Sequence, residues 1–162
     1  EDGYNLYCGD EARKIIPSVS TLIENHHADG DRIIFVCDSH DQGDLEFEMF
    51  PVHCIKGTVE TKIIGELSHH EGAVIHKKRY SAFHNTNLGQ LLKEDPPDKL
   101  IICGVCTDIC VMHTTADARN RDYIVEIPTN CVASFDSKAH SFALDHMEKV
   151  LGARLIDGPY QT

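Results

Sequence analysis

Short apolar segments alternate with longer amphipathic ones along this chain. The apolar segments are rich in β-branched side chains and have no polar face, which is typical of strands buried on both sides of a sheet. They predict strands over residues 32–37, 73–76, 100–105, 123–127 and 154–156. The amphipathic segments repeat their apolar positions at helical spacing. They predict helices over residues 10–28, 87–93, 108–120 and 136–151.

This alternation predicts one α/β domain over residues 1–162, because no linker, repeat or low-complexity segment divides the chain. Residues 38–58 show neither period and are predicted to be irregular. Five strands are too few to close a barrel, so we expect an open, doubly wound, mostly parallel sheet with helices on both faces. Ligands of such sheets bind at the carboxyl ends of the strands. Functional residues are therefore expected just after Cys37, His76 and Val105.

The charge balance narrows the choice of partners. The chain carries 26 acidic and 15 basic side chains, which gives a formal net charge of −11 at neutral pH. This argues against nucleic acids and anionic membranes, because both require clustered positive charge. The apolar segments are also too short to cross a bilayer.

Seven cysteines follow no paired spacing, so we expect reduced thiols in a cytoplasmic protein.

The segment GVCTDICV at 104–111 joins a predicted strand to a predicted helix and places Cys110 in the first helical turn. Unpaired backbone N–H groups and the helix dipole stabilise a thiolate there, which makes Cys110 a candidate nucleophile. The same N–H groups can hold the oxyanion formed on an attacked carbonyl. The alternative is that Cys110 is one more buried cysteine. The Cys103-x-x-Cys106 spacing lacks a second ligand pair, so we interpret it as fortuitous rather than as a zinc or redox motif.

Asp38 and His40 are two residues apart at the end of a predicted strand, so their side chains point the same way. The irregular segment that follows contains Glu46 and His53. Two imidazoles with carboxylates form a ligand set suited to zinc, iron or manganese. The alternative is that these side chains are solvated, since the chain contains 11 histidines.

Three consecutive cations, Lys77-Lys78-Arg79, follow the predicted strand at 73–76. A lysine at the carboxyl edge of the sheet can approach a cysteine from a neighbouring strand and favour its thiolate. A solvated basic turn is the commoner meaning of three consecutive cations. The sequence leaves both interpretations of Lys77 open.

Taken together, four motifs resemble those of the isochorismatase-like cysteine hydrolases, and among them those of the nicotinamidases. The resemblance extends from about Ile33 to the end of the chain. The motifs are DSH at 38–40, FPVHCIKGT at 50–58, KKRYSAFHNTNL at 77–88 and GVCTDICV at 104–111. Four motifs in this order and at these separations are far more specific than any one of them alone.

The resemblance implies a role for each matching residue. Cys110 matches the nucleophile and Lys77 matches the active-site lysine. A cis peptide bond is implied at Val105–Cys106, with the backbone N–H groups of Cys106 and Cys110 forming an oxyanion hole. One divalent transition metal is implied, with zinc expected and iron or manganese as alternatives. The matching metal ligands are Asp38, His40 and His53, with Glu46 as an additional carboxylate, and the matching substrate-binding aromatics are Phe50 and Tyr80.

The implied reaction is the hydrolysis of nicotinamide, a small-molecule substrate, to nicotinate and ammonia through a thioester intermediate in NAD salvage. The resemblance also implies a homo-oligomer, either a dimer or a tetramer. Two alternatives remain open. One is a related cysteine hydrolase that acts on another small amide or carbamoyl compound. The other is a non-catalytic relative that binds a metal or a small ligand.

The chain departs from the family pattern at its N-terminus. The family's catalytic aspartate ends a first strand, and this chain begins at Glu1 with the segment that follows that motif. Asp2 and Asp10 lie in polar sequence, and neither fits the role. We therefore expect the first strand and its aspartate to precede Glu1.

Overall fold

Seven strands, five α-helices and a π-helical turn make up the regular structure of residues 5–157, the part of the chain that the computed structural model describes, together with short 3-10 turns. The helices are α1 (Gly9–Lys14), α2 (Ile16–Ala28), α3 (Leu88–Glu94), α4 (Met112–Arg119) and α5 (Ser137–Lys149). The strands are β1 (Ile34–Asp38), β2 (Ala73–Lys77), β3 (Leu100–Ile101), β4 (Gly104–Val105), β5 (Val125–Pro128), β6 (Val132–Ala133) and β7 (Arg154–Ile156). The π-helical turn spans Thr107–Val111 and leads directly into α4.

The strand pairings of the described residues are parallel throughout. They form three groups, β1–β2, β3–β5–β7 and β4–β6. β1 and β2 pair over their whole length, from Ile34 opposite Ala73 to Asp38 opposite Lys77. Parallel neighbours need crossover connections. α4 or α5 lies in those of β3–β5, β4–β6 and β5–β7, whereas β1 and β2 are joined by a long segment that contains only short 3-10 turns. The predicted parallel α/β fold is therefore confirmed.

Two apolar cores lie on opposite sides of the strands. One contains buried side chains of α3, α4 and α5 around β5, and the other contains the buried side chains of α2. Adjacent residues of β1 point to different cores, Ile34 to the first and Phe35 to the second. Leu100 and Ile101 of β3 alternate in the same way. Because successive side chains of a strand face opposite sides of a sheet, helices cover both faces.

Two predicted elements are divided in the structure. The helix predicted over 10–28 becomes α1 and α2, which meet at Ile15. Pro17 lies in the first turn of α2, where its missing N–H costs no hydrogen bond. The strand predicted over 100–105 becomes β3 and β4, and Gly104 has a φ of +113° that residues with side chains rarely adopt. The short strand β6 was not predicted.

The segment predicted to be irregular, residues 38–58, contains one 3-10 turn, Leu45–Glu48. The Asp44 carboxylate begins this turn by accepting the backbone N–H of Glu46 at 3.0 Å.

None of the helices within residues 5–157 is long and apolar enough to cross a membrane. The strand expected before Glu1 lies outside the described residues.

Candidate active site

Three of the predicted site residues meet where β1, β2 and β4 end. Asp38 is the last residue of β1, and Lys77, the last residue of β2, lies opposite it in the ladder. Cys110 lies in the π-helical turn just beyond β4. The buried Lys77 ammonium donates hydrogen bonds to the Asp38 carboxylate and to Cys110 Sγ, the second at 3.2 Å. Since Lys77 is only 5% exposed, the alternative of a solvated basic turn does not hold for this lysine.

Opposing effects set the ionisation of Cys110. Burial raises the pKa of this thiol above its ordinary value, and the Lys77 ammonium opposes burial without cancelling it. Burial lowers the pKa of Lys77, but the charges of Asp38 and Cys110 outweigh burial and raise that pKa above its ordinary value. The predicted contribution of the helix end to stabilising this thiolate stays a prediction. Cys110 is the fourth residue of a π-helical turn, and Lys77 is the group that favours its thiolate.

Backbone and side-chain contacts hold the turn that carries the candidate nucleophile. The peptide bond between Val105 and Cys106 is cis. The Cys106 carbonyl accepts the backbone N–H of Val111 at 3.2 Å, which closes the turn. From α5, His140 Nδ1 lies 2.9 Å from the Thr107 hydroxyl, and Thr107 is fully buried. The turn is therefore fixed against both the sheet and a neighbouring helix.

A group of candidate metal ligands lies at the end of β1. Ligand atoms of Asp38, His40 and His53 all lie within 4.8 Å of one another. His40 Nδ1 donates to the Asp44 carboxylate at 3.2 Å, and His53 Nδ1 donates to the Pro51 carbonyl at 2.7 Å. These two hydrogen bonds orient the rings and leave each Nε2 lone pair available, which is the usual arrangement of metal-ligating histidines.

The Glu46 carboxylate faces both imidazoles. Its Oε1 atom lies 3.8 Å from His40 Nε2 and 4.0 Å from His53 Nε2. His40 Nε2 and Glu46 Oε2 are buried, and neither has a hydrogen-bond partner among the described residues. Burial raises the pKa of Glu46, although the neighbouring His40 opposes this shift. A buried, unpaired imidazole nitrogen beside carboxylates is the donor set of a divalent transition metal, so these residues fit such an ion.

Aromatic rings extend from this group toward the turn that carries Cys110. The Phe50 ring centroid lies 6.4 Å from that of His53 and 6.3 Å from that of Tyr80, both in edge-to-face geometry. The Tyr80 ring lies 5.2 Å from the ring of His113, on the first turn of α4. The two aromatics predicted to bind substrate therefore lie between the candidate metal ligands and the helix that follows the turn.

Comparison with known proteins identifies the family of this chain. The family model described as the isochorismatase domain matches residues 4–158. The chain belongs to the isochorismatase family. The isochorismatase family protein PncA of Bacillus subtilis strain 168 is 37% identical to it over 163 residues, which cover 94% of this chain and 89% of that protein. Membership of the isochorismatase family confirms the predicted family and makes this protein a hydrolase.

Solved structures share the isochorismatase-like fold of this chain. The pyrazinamidase/nicotinamidase of Streptococcus mutans UA159 is 37% identical and superposes with a TM-score of 0.89, covering 96% of this chain and 92% of that one. The pyrazinamidase of Pyrococcus horikoshii, solved in complex with zinc, is 26% identical with a TM-score of 0.88, covering 98% and 92%. The predicted layered α/β fold of the isochorismatase-like hydrolases is thereby confirmed.

Sequence reasoning missed two residues of this isochorismatase-family site. Asp44 accepts hydrogen bonds from His40 Nδ1 and, at 2.9 Å, from Arg79, so it positions a candidate metal ligand. No sequence signal marked Asp44, because the path of an irregular segment cannot be read from periodicity. His113 donates from Nδ1 to the Ile109 carbonyl at 2.7 Å. Its position three residues after Cys110, on the same helical face, was a usable signal.

Proposed function

We propose that this isochorismatase-family hydrolase is a nicotinamidase, which converts nicotinamide and water to nicotinate and ammonia in cytoplasmic NAD salvage. One observation carries the proposal: Asp38 belongs to both halves of the site. Its carboxylate accepts a hydrogen bond from Lys77, which also donates to Cys110. The same carboxylate lies within 4.8 Å of the ligand atoms of His40 and His53. The candidate nucleophile and the candidate metal ligands are therefore neighbours.

A pyridine carboxamide has two ends that suit these two halves. Its ring nitrogen is a metal ligand of the imidazole type, and its carboxamide carbon is an electrophile for a thiolate. The solved relatives support this substrate class, since both are pyrazinamidases and one is also a nicotinamidase. Phe50 and Tyr80 lie in edge-to-face contact where the ring is proposed to bind.

The proposed reaction proceeds in two stages. The Cys110 thiolate attacks the carboxamide carbon, and the backbone N–H groups of Cys106 and Cys110 stabilise the negative charge that develops on the oxygen. The C–N bond then breaks, a general acid that took up the thiol proton delivers it to the nitrogen so that ammonia leaves, and a thioester remains. Water attacks the thioester carbon, nicotinate is released, and the sulfur regains its proton. Lys77 favours the attacking thiolate through its hydrogen bond to Cys110 Sγ.

The metal requirement is part of the proposal. Asp38, His40 and His53 are proposed to hold one divalent ion, with zinc expected and Glu46 as an additional carboxylate. When bound, such an ion supplies a Lewis-acidic position that accepts the ring nitrogen and so orients the pyridine ring. The buried His40 Nε2 without a hydrogen-bond partner supports this assignment.

Release of ammonia from nicotinamide tests the proposal directly. The wild-type protein, loaded with zinc, is expected to release ammonia, and Cys110→Ala is expected to lower kcat/KM by about 10³-fold or more because no covalent intermediate can form. Cys8→Ser removes a different thiol and serves as the matched control that keeps its activity. The variant Cys110→Ala should retain wild-type zinc content, which separates loss of the nucleophile from loss of the metal.

Two results contradict the proposal in different ways. Ammonia release from another small amide or carbamoyl compound, but not from nicotinamide, would preserve the cysteine chemistry and overturn the substrate. Zinc binding without hydrolysis of any such compound would indicate a protein that binds a ligand and performs no reaction.

A further inference from the structure

A second thiol contact lies beside the turn that carries Cys110. Cys8, which immediately precedes α1, places its sulfur 3.6 Å from the sulfur of Cys106, 98 residues further along the chain. Cys106 is buried, with 7% exposure, whereas Cys8 is partly accessible. The proposed hydrolysis uses neither sulfur atom. The fold therefore holds together two thiols of different accessibility that have no assigned role.

The two thiols differ in acidity. The hydrogen bond with Cys106 lowers the pKa of Cys8 to about 7, although burial opposes this shift. The same hydrogen bond, together with burial, raises the pKa of Cys106. The other five cysteines all lie within the described residues, and the pKa of each is raised, mainly by burial. Cys8 is thus the thiol most readily ionised near neutral pH, and its sulfur shares a hydrogen bond with that of Cys106.

Oxidants react with thiolates rather than with thiols, and a sensitive cysteine needs both access and a second thiol to resolve it. Cys8 has the access, and Cys106 is the adjacent second thiol. A disulfide has an S–S length of about 2.05 Å, so the two sulfurs need to approach by roughly 1.5 Å. Cys8 lies in the segment that leads into a short helix, where a shift of this size disturbs little packing, since α1 contains no buried residue.

We propose that Cys8 and Cys106 form a peroxide-sensitive thiol pair that closes to a reversible disulfide. The Cys8 thiolate attacks one oxygen of the peroxide, the O–O bond breaks, and Cys8 becomes a sulfenic acid while the released hydroxide takes up a proton to form water. The Cys106 sulfur then attacks the Cys8 sulfur, the S–S bond forms, and the S–O bond breaks. The departing hydroxide leaves as water with the Cys106 proton. Two thiols are oxidised, and one hydrogen peroxide is reduced to two waters.

The disulfide has a consequence for activity that rests on the proposed function. The backbone N–H of Cys106 is one of the two proposed oxyanion donors, and such donors act only at well-defined positions. Although Cys8 makes most of the approach, the S–S bond imposes its own dihedral angle on Cys106, and this displaces the donor. The oxidised protein is therefore expected to lose most of its nicotinamidase activity and to regain it on reduction by dithiothreitol.

Peptide mapping tests the disulfide independently of any activity. Trypsin places Cys8 in the peptide that ends at Arg13 and Cys106 in the peptide of residues 100–119, together with Cys103 and Cys110. After treatment with hydrogen peroxide and blocking of free thiols, the two peptides are expected to be joined, with a mass two hydrogens below their sum. Tandem fragmentation assigns the partner of Cys8 as Cys106. The experiment is repeated in Cys110→Ser, where the link should still form, and in Cys8→Ser, where it should be absent.

Activity measured on the same samples tests the consequence. Wild type is expected to lose activity as the link forms and to recover it with dithiothreitol, whereas Cys8→Ser should keep its initial activity over that range of peroxide. Irreversible oxidation of Cys8 without a link, or a link to Cys103 or Cys110 instead, would overturn the thiol pair. A Cys8–Cys106 link that leaves hydrolysis unchanged would overturn only the effect on activity. Absence of nicotinamide hydrolysis in the untreated protein would count against the proposed function and leave the link to be judged by mass.

Discussion

Lys77 is the side chain on which the candidate nucleophile depends. Its ammonium donates to Cys110 Sγ at 3.2 Å, and its effect on the pKa of that thiol opposes the effect of burial. We predict that Lys77→Met slows the alkylation of Cys110 by iodoacetamide, because the thiolate fraction falls when the ammonium is removed. The same variant should lower kcat/KM by about 10²-fold or more, the size typical for loss of a proton-handling or charge-stabilising group.

Lys78→Met is the matched control for this experiment. Lys78 is the next residue along the chain, is exposed, and pairs with Asp41 on the surface. Tandem mass spectrometry of the peptide of residues 100–119, sampled over time, distinguishes Cys110 from Cys103 and Cys106 and gives its alkylation rate in each protein. Equal rates in Lys77→Met and in the wild type would show that the lysine does not activate the cysteine.

His53 is the candidate metal ligand that lies farthest along the chain from Asp38. Its Nδ1–H is held by the Pro51 carbonyl, so its Nε2 has a fixed direction. We predict that His53→Ala lowers zinc affinity by more than about 10-fold, since even the loss of an outer-shell partner has an effect of this size. Zinc content after dialysis against a weak chelator measures the change. The exposed His84 supplies the control His84→Ala, and full zinc occupancy in His53→Ala would exclude His53 from the site.

The sequence predicts residues of this site better than it predicts the contacts between them. Asp38, Lys77 and Cys110 could be placed together because each follows a strand of one parallel sheet, and the carboxyl ends of such strands meet at one edge. The Asp44–His40 contact could not be predicted, since it depends on the path of an irregular segment. The Cys8–Cys106 contact joins residues 98 positions apart and leaves no pattern in the sequence.

At the scale of the elements, the strongly periodic segments were predicted correctly and the interrupted ones were not. β7 lies at the predicted residues 154–156, directly after the turn at Gly152 that follows α5. The predicted strand 100–105 is interrupted after Ile101 and resumes as β4 at Gly104, which has a positive φ. β6 contains only two residues, Val132 and Ala133. Its pairing with β4 is a tertiary contact, so the local sequence pattern could not predict this strand.

The N-terminus of α5 offers a test of local stability. The Asp136 carboxylate accepts the backbone N–H groups of Lys138 and Ala139 at 2.8 and 2.9 Å, which satisfies two otherwise unpaired donors of the helix. We predict that Asp136→Ala lowers the free energy of unfolding by about 1 kcal/mol, measured by urea denaturation. Ser137→Ala, at the neighbouring exposed position, should change it by less than about 0.5 kcal/mol. A similar loss in both variants would indicate that the cap does not stabilise α5.

At the scale of the whole molecule, the chain combines a strongly acidic surface with one buried carboxylate in the sheet. Glu126 lies on β5, between β3 and β7, and is only 6% exposed. Lys99 donates to it at 2.7 Å from the residue that precedes β3, and Arg154 donates at 3.1 Å from β7. A single carboxylate thus joins three parallel strands through two cations that are themselves largely exposed.

This arrangement predicts how the stability of the whole fold depends on acid. The hydrogen bond from Lys99 is the main cause that lowers the pKa of Glu126, and Arg154 adds to it. A carboxyl whose pKa is lower in the folded state stabilises the protein fully above its unfolded value of about 4.3, and this contribution disappears as the pH falls through the lower, folded value. Glu126→Gln should therefore be less stable than the wild type at pH 7, by about 1 kcal/mol given the exposure of both cations. The difference should shrink as the pH is lowered from 5 to 3.

Urea denaturation of both proteins across this pH range measures the effect, and the difference between them is the informative quantity because the other carboxylates titrate in both. The exposed Glu148, on α5, provides the control Glu148→Gln, which should follow the wild type at every pH. If Glu126→Gln also followed the wild type, the three-strand contact would not contribute to stability. At pH 3 the protonated Glu126 carboxyl is neutral and can no longer form ion pairs with Lys99 and Arg154. If the stability difference between Glu126→Gln and the wild type were unchanged at pH 3, the loss would therefore come from packing of the amide.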